Sequence, residues 1–543
     1  MPILPVMRRL ILGTATGALI LTGAPVLAAE KSDAPAATGP NTIFKDAAPV
    51  ITAGTVTIKG QKIDYTAISG TIVVHPEHWD DTAWRAHPAK PDDTAVPDAE
   101  ASMFYVAYVK KGVPAASRPI TFLFNGGPGS ASVWLHMGAF GPRRVVTRDD
   151  SHTPAAPYDL IDNDASLLDA SDVVFIDAPG TGFSRVAGKD KEKAFWGMDA
   201  DAHAFTSFIQ AFLTRHGRWN SPKYLFGESY GTPRAAMIAA RLTVDHAVDL
   251  NGVILLSQIL NYNLSADGAV LNPGTDQPYI TTLPTYAATA WYHNRLPGTR
   301  PADIEPFLKE AESFAIGDYA SALQQGSLLD PGKRRDIAER MAKYIGLPVD
   351  YILKSDLRIE GGQFTQALQI GSGLITGRLD SRFSGPAIDV LNKEADYDPQ
   401  SAAISSAYIS AFNAYARDTL HYGQDETYKP DAPVGAFWNY DHRPPGQPEP
   451  VRGIINVMPD IAYAMKYNPQ MKVLVTGGYY DLATPYYEGW YEMHHLPIPA
   501  SLQSNIAFRY FRSGHMVYAN TAALHDLHDA VAGFIAATDN LHK

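Results

Sequence analysis

Tyr224–Ala235 reads YLFGESYGTPRA. An apolar run leads into Gly-Glu-Ser-Tyr-Gly, and the residues after it can open a helix. Gly227, Ser229 and Gly231 fit the G-x-S-x-G pattern, which occurs once in the chain. A sharp strand-to-helix turn of that kind brings backbone too close to tolerate a Cβ, so glycines flank the serine. Pro233 falls near the first turn of the expected helix, where a missing N–H costs little. An ordinary loop serine is the alternative. A serine hydroxyl is a poor nucleophile until a base takes its proton, so the choice depends on what else the chain supplies.

Upstream, Asn125-Gly-Gly-Pro-Gly129 follows the apolar run Ile120–Phe124. Three glycines and a proline at a strand end form a loop whose amides can face an anion, although the same residues also make plain turns. Downstream, Asp481 lies just beyond the run Lys472–Thr476, and His515 follows Ile506–Arg512 through Ser513-Gly514. Any one of 17 histidines is more often surface or core than catalytic. Yet Ser229, Asp481 and His515 occur in the chain order Ser…Asp…His of the α/β-hydrolase sheet, each at the C-terminal end of an expected strand.

The apolar runs Ile120–Phe124, Val173–Ile176, Tyr224–Phe226, Val253–Leu256, Val473–Val475 and Ile506–Tyr510 define that sheet, with helical patterns at Met198–Arg215 and Arg234–Leu242 between the middle ones. Unbroken apolar strands alternating with amphipathic helices call for a mostly parallel sheet covered on both faces. Gly54–His75 alternates as a hairpin around Lys59-Gly60-Gln61, and Ala86–Ala99 reads as a Pro/Asp/Ala-rich loop. The expected organisation is a leader over 1–29, a linker over 30–47, a first core part over 48–262, a helical cap over 263–452 and a second core part over 453–543. The cap is thus inserted after the sixth core strand.

The 543 residues carry a net charge of -12 with no long basic cluster, which argues against nucleic acid as a partner. Arg8-Arg9, the apolar stretch Leu10–Leu27 and Val26-Leu-Ala-Ala29 compose an export leader, with a retained membrane anchor as the weaker alternative for so short and mildly apolar a segment. The arginine pair alone does not separate twin-arginine export from the general route. The chain has no cysteine, which excludes disulfides, thiol catalysis and cysteine-bound zinc. A bacterial periplasmic or secreted protein is the expected setting, with no stable membrane insertion once the leader is removed. Nothing sets an oligomeric state.

With these segments in view, the sequence resembles the serine carboxypeptidase family, peptidase family S10. The likeness rests on Asn125–Gly129, Phe140-Gly-Pro142, Phe175-Ile-Asp-Ala-Pro-Gly-Thr-Gly-Phe-Ser184, Gly227–Gly231 and Gly514-His-Met516, all in the family's order. The resemblance implies Ser229 as nucleophile, His515 as base and then acid, and Asp481 as the group that orients the imidazole. It implies the amides of Gly127 and Tyr230 as the oxyanion hole. Asn125, the Gly126 amide and Glu228 would be the recognition site for a free C-terminal carboxylate. Two carboxylates in contact disfavour double ionisation, so acidic pH should favour such binding. Three positions depart from the family pattern: Leu123 stands where a Trp is usual, Ala139 where eukaryotic members carry a second Glu, and Ser130 where they carry a Cys. Arg143 or Arg144 could compensate charge there, though loop arginines are usually solvated.

The expected substrate is a peptide or small acyl compound, with no cofactor and no metal. His525-Asp-Leu-His-Asp529 has a spacing that could hold a metal, but it reads better as the wet face of a closing helix. Two rival functions share these residues: an esterase or acyltransferase with the same triad, and an inactive binding protein on a hydrolase scaffold.

Overall fold

The computed structural model describes residues 43–45, 47–80, 98–453 and 455–541. The expected leader, most of the linker and most of the loop before Ala99 lie outside them. Among the described residues no helix is long and apolar enough to cross a membrane.

Nine strands give the central sheet its path: β1 (Val50–Ile58), β2 (Gln61–Val74), β3 (Glu100–Lys110), β4 (Ile120–Phe124), β5 (Asp172–Ile176), β6 (Lys223–Glu228), β7 (Gly252–Leu256), β8 (Lys472–Gly478) and β9 (Ile506–Phe511). Their spatial order is β1-β2-β3-β5-β4-β6-β7-β8-β9, and the short strand Arg185–Ala187 pairs with β3 off this path. From β5 to β9 every neighbour is parallel. β1, β2 and β3 add an antiparallel edge. The hairpin turns at Lys59-Gly60, both at positive φ (46° and 80°), as a two-residue turn between right-twisted strands requires.

The unbroken apolar runs are explained by what covers them. Along β4, Phe122 and Phe124 face one core with the helices Met198–Arg215 and Gly231–Ala240, while Leu123 faces another built with Pro399–Asp418 and Thr521–Thr538. Successive side chains of a strand point to opposite faces, so burial on both sides demands continuous apolar sequence. β3 is such a strand and was not among the expected runs, because its Ala and Ser positions dilute the apolar pattern.

The insertion follows β7, the seventh strand along the sheet's path, because Glu100–Lys110 adds one to the six expected. Its first half, including the helices Gln277–Tyr292, Ile304–Phe314 and Pro331–Ile345, has a core of its own that leans on Tyr480, Leu482, Tyr486 and Tyr487. Its second half does not stay in the cap. The helix Pro399–Asp418 packs Tyr408, Phe412 and Tyr415 onto the sheet face beside Tyr108 and Phe175.

The chain leaves the insertion through a strap fixed by His442. Its Nδ1 lies 2.7 Å from Asp199 and its Nε2 2.9 Å from Asp460, acids in the first turns of two core helices. Burial alone would lower the pKa of this imidazole, but the two carboxylates outweigh it and raise the value to about 9. The charged ring therefore stabilises the fold fully below its unfolded value near 6.5, and that contribution is lost as pH rises through about 9. Replacing His442 by Gln leaves the buried Asp460 without its cation and Asp199 with only Arg241, and should cost about 3 kcal/mol at neutral pH. Thermal unfolding across pH 6–10 checks this: the wild-type melting temperature should fall over the alkaline limb, and the H442Q curve should lack that fall.

Candidate active site

The serine of the opening stretch occupies a position that no L-residue adopts without constraint. Ser229 ends β6 at φ +60°, and the helix Gly231–Ala240 starts two residues later. The turn is held from both sides. Its N–H donates to Leu256 O (3.0 Å), and its carbonyl accepts from the N–H and hydroxyl of Thr232, each at 2.8 Å. A Cβ on Gly227 would sit 2.0 Å from Gly231 O, so the turn closes only with glycine there.

Asn125–Gly129 passes directly over this elbow. A Cβ at Gly126 would lie 2.3 Å from the backbone nitrogen of Tyr230, which brings the two proposed anion-binding strands of backbone into contact. Arg234, fully buried on the elbow helix, secures the loop. It grips Asp201 through two nitrogens at 2.6 and 3.1 Å, and its third points at the carbonyl of Asn125. Asp177, from the Phe175–Ser184 segment, accepts from the N–H and hydroxyl of Ser132 and from the N–H of Phe183. That segment is thus a brace for the loop.

Asp481 and His515 meet at the ends of β8 and β9. Asp481 is fully buried. One carboxylate oxygen accepts from the N–H groups of Ala483 (2.9 Å) and Thr484 (3.0 Å), and the other from the Thr484 hydroxyl (2.7 Å). The second oxygen also lies 2.8 Å from His515 Nδ1, so the imidazole carries its proton on that side. Burial would lower the pKa of His515, but the charges of Asp481 and Glu228 prevail and raise it. The Ser257 hydroxyl donates to His515 O at 2.7 Å. Leu256 and Ser257 are consecutive, and one holds Ser229 while the other holds His515. The main chains of both residues therefore flank the same strand end.

Glu228, beside the serine, is buried and accepts a hydrogen bond from Tyr518 OH at 2.8 Å. Asn125 Oδ1 accepts from Leu135 N–H (3.2 Å), leaving the amide NH2 for Glu228. Burial raises the carboxyl's pKa to about 7, against the opposing pull of His515, Tyr518 and Asn125. Ala139 leaves no second carboxylate here; its carbonyl accepts from Asn163. The partner that Glu228 does find, Tyr518, was missed in the sequence because a lone tyrosine near a histidine carries no pattern. Leu123 lies in the core, and the Ser130 hydroxyl accepts from Trp134. Arg143 is committed to Asp162 (2.6 Å) on a surface hairpin. The C-terminal histidines also have partners outside the site, His528 with Asp169 and Asp529, and His525 with Asp164.

The insertion reaches the site as well. Leu379 O accepts from His515 N–H (2.7 Å), Arg378 O from Leu482 N–H (3.0 Å), and Tyr480 O from Ser381 N–H (2.9 Å). A loop of the cap is thereby wedged between the segments that carry Asp481 and His515. Nothing in local sequence announces that contact.

A parallel sheet of this order, covered on both faces and carrying a serine elbow at the end of β6, defines an α/β-hydrolase. Residues 94–325 match the model of the serine carboxypeptidase family. It is 28% identical over 182 residues to serine carboxypeptidase ctsa-3.2 of Caenorhabditis elegans, covering 31% of this chain and 33% of that protein. It is 28% identical over 172 residues to serine carboxypeptidase-like 36 of Arabidopsis thaliana, covering 30% and 33%. The chain thus matches about a third of the length of these relatives. Among solved structures, a proline iminopeptidase from Mycobacterium smegmatis aligns with a TM-score of 0.33 at 13% identity, covering 90% of this chain and 99% of the other.

Asp481→Asn tests the imidazole geometry. The asparagine oxygen can keep the two backbone donors, which turns its NH2 toward His515 and forces the opposite tautomer. Labelling of Ser229 by a fluorophosphonate should then slow by roughly two to four orders of magnitude, with the circular-dichroism melt little changed.

Proposed function

We propose that the protein is a metal-independent serine carboxypeptidase that releases C-terminal residues from peptides through an acyl-enzyme. Ser229 Oγ attacks the last peptide carbonyl while His515 takes its proton. The amides of Gly127 and Tyr230 stabilise the oxyanion, an interaction typically worth about two to three orders of magnitude in rate per donor. His515 then protonates the leaving amine, the acyl bond to Ser229 remains, and water regenerates the serine by the reverse proton path. Asp481 fixes the imidazole and stabilises its cation.

The observation that carries this reading is Glu228. A buried carboxyl beside the nucleophile, with a pKa near 7, holds a proton at acidic pH and can donate it to a substrate carboxylate. Asn125 adds a neutral donor to the same spot. An esterase has no use for a protonated acid at that position. The esterase or acyltransferase reading draws its support from Ala139, which leaves the clamp with one carboxyl. We read the chain as exported through residues 1–29, acting in the periplasm or outside the cell.

The sign of the pH dependence follows. Glu228 is a donor below about 7 and a repelling anion above it, so kcat/KM for free-acid peptides should fall as pH rises through that value. The opposite limb comes from His515, which is useless as a base once protonated. The check is a peptide compared with its C-terminally amidated twin across pH 4–9. The amide should be a poor substrate throughout, and Glu228→Gln, a permanent donor, should flatten the alkaline limb. Cleavage of an ester with neither peptide turned over would favour the esterase reading, and a Ser229 that no fluorophosphonate labels would leave a silent scaffold.

A further inference from the structure

Between the first helices of the insertion and the C-terminal half of the sheet lies a cavity of about 160 Å³ that no step of the proposed reaction uses. Its walls are aromatic: Tyr479, Tyr486, Tyr487, Trp490 and Tyr510. The rings form a continuous set. Tyr479 and Tyr510 each meet Tyr486 edge-on or steeply inclined, with centroids 5.0 and 5.1 Å apart. Tyr487 stacks on Trp490 at 4.9 Å with the planes within 4°. Two acids, Glu305 and Glu312, together with Leu308 and Lys309, complete the lining. Glu312 is buried and accepts from Tyr486 OH at 2.9 Å. The Tyr510 hydroxyl is buried and has no hydrogen-bond partner among the described residues.

Aromatic faces present negative quadrupole, and several of them around a carboxylate select a cation whose charge is spread over alkyl groups. A cavity of about 150 Å³ admits a guest the size of benzene, so the space suits a small ammonium head and excludes a peptide. The chain itself shows the preference. Lys309 Nζ lies 2.8 Å from the second oxygen of Glu312, while 77% of the lysine side chain remains exposed to solvent. A pair so exposed on one partner contributes little to stability and yields readily to a competitor.

We propose that this cavity is a binding site for a small organic cation, a quaternary or alkylated ammonium, with Lys309 as the tethered occupant it displaces. The cation sits within the ring set of Tyr479, Tyr486 and Tyr510, its charge faces Glu312, and a hydroxyl on the ligand can meet Tyr510. None of the lining residues belongs to the proposed catalytic set, so the site stands whether or not the peptidase reading does.

Isothermal titration of the full protein with choline, and with its neutral isostere 3,3-dimethylbutan-1-ol, tests the proposal. Choline should bind at least about tenfold more tightly than the alcohol. Glu312→Gln and Tyr479→Leu should each weaken choline by roughly tenfold, Lys309→Ala should tighten it severalfold, and Ser229→Ala should leave it unchanged. Tyr479 is half-buried and Lys309 lies on the surface, so those two variants decide the matter even if Glu312→Gln fails to fold. Equal binding of choline and the alcohol, an unchanged affinity in Tyr479→Leu, or no heat with choline in Lys309→Ala would overturn it.

Discussion

The positive φ of Ser229 is the constraint on which the rest of the site is built. A serine at +60° is held there against its own preference, typically at a cost of about 1–3 kcal/mol, and only surrounding structure can keep it. Here the hold comes from the end of β7 through Leu256 O, from Thr232 on the helix, and from backbone packed so tightly that Gly227 and Gly126 admit no Cβ. The strain has a product. It brings the amide of Tyr230 against the loop above at Gly126, so the serine and that amide are set by one turn.

Charge is arranged around that turn in two layers. The inner layer is neutral or balanced: the Asp481–His515 pair, and a Glu228 whose burial favours its proton. The outer layer consists of a buried ion pair and a buried, hydrogen-bonded acid that fix the backbone of the site. Arg234 joins Asp201 to the carbonyl of Asn125, and Asp177 gathers the loop from the other side. A buried arginine with a bidentate carboxylate is an expensive element to desolvate, and its value lies in geometry more than in net stability. It locks the loop that carries Asn125, Gly126 and Gly127 to the helix that begins at the elbow.

What the sequence made legible was what depends on short range. The apolar runs around Phe122, Val174, Leu225 and Ile254 could be read as doubly covered strands because period and burial are local properties. The elbow could be read because two glycines answer to one turn. The expected juxtaposition of Glu228 with Asn125 came from resemblance, and both residues now stand in hydrogen-bonding reach of Tyr518. Unreadable features share a different cause. Tyr518 is one of 28 tyrosines, and its role exists only because β9 and the following turn bring it beside β6. Ser257 and Leu379 act on His515 through backbone atoms or one hydroxyl across a fold-level distance. The strand Glu100–Lys110 and the return of Pro399–Asp418 to the sheet were likewise decided by packing partners far away in the chain.

The insertion is therefore not a lid laid over a finished site. Its loop at 378–381 bonds to the Tyr480–Leu482 segment and to His515 itself, so removing the insertion would unfasten the imidazole as well as uncover it. The same coupling applies to charge. Glu228 and His515 lie close enough that each shifts the other, the carboxylate raising the imidazole and the imidazolium lowering the carboxyl. Groups so placed titrate under each other's influence, so the loss of a proton from one shifts the other. The protonation of the two groups is thus one electrostatic problem. A negative charge placed beside Glu228 would favour the proton on the carboxyl and, by the same field, on the imidazole.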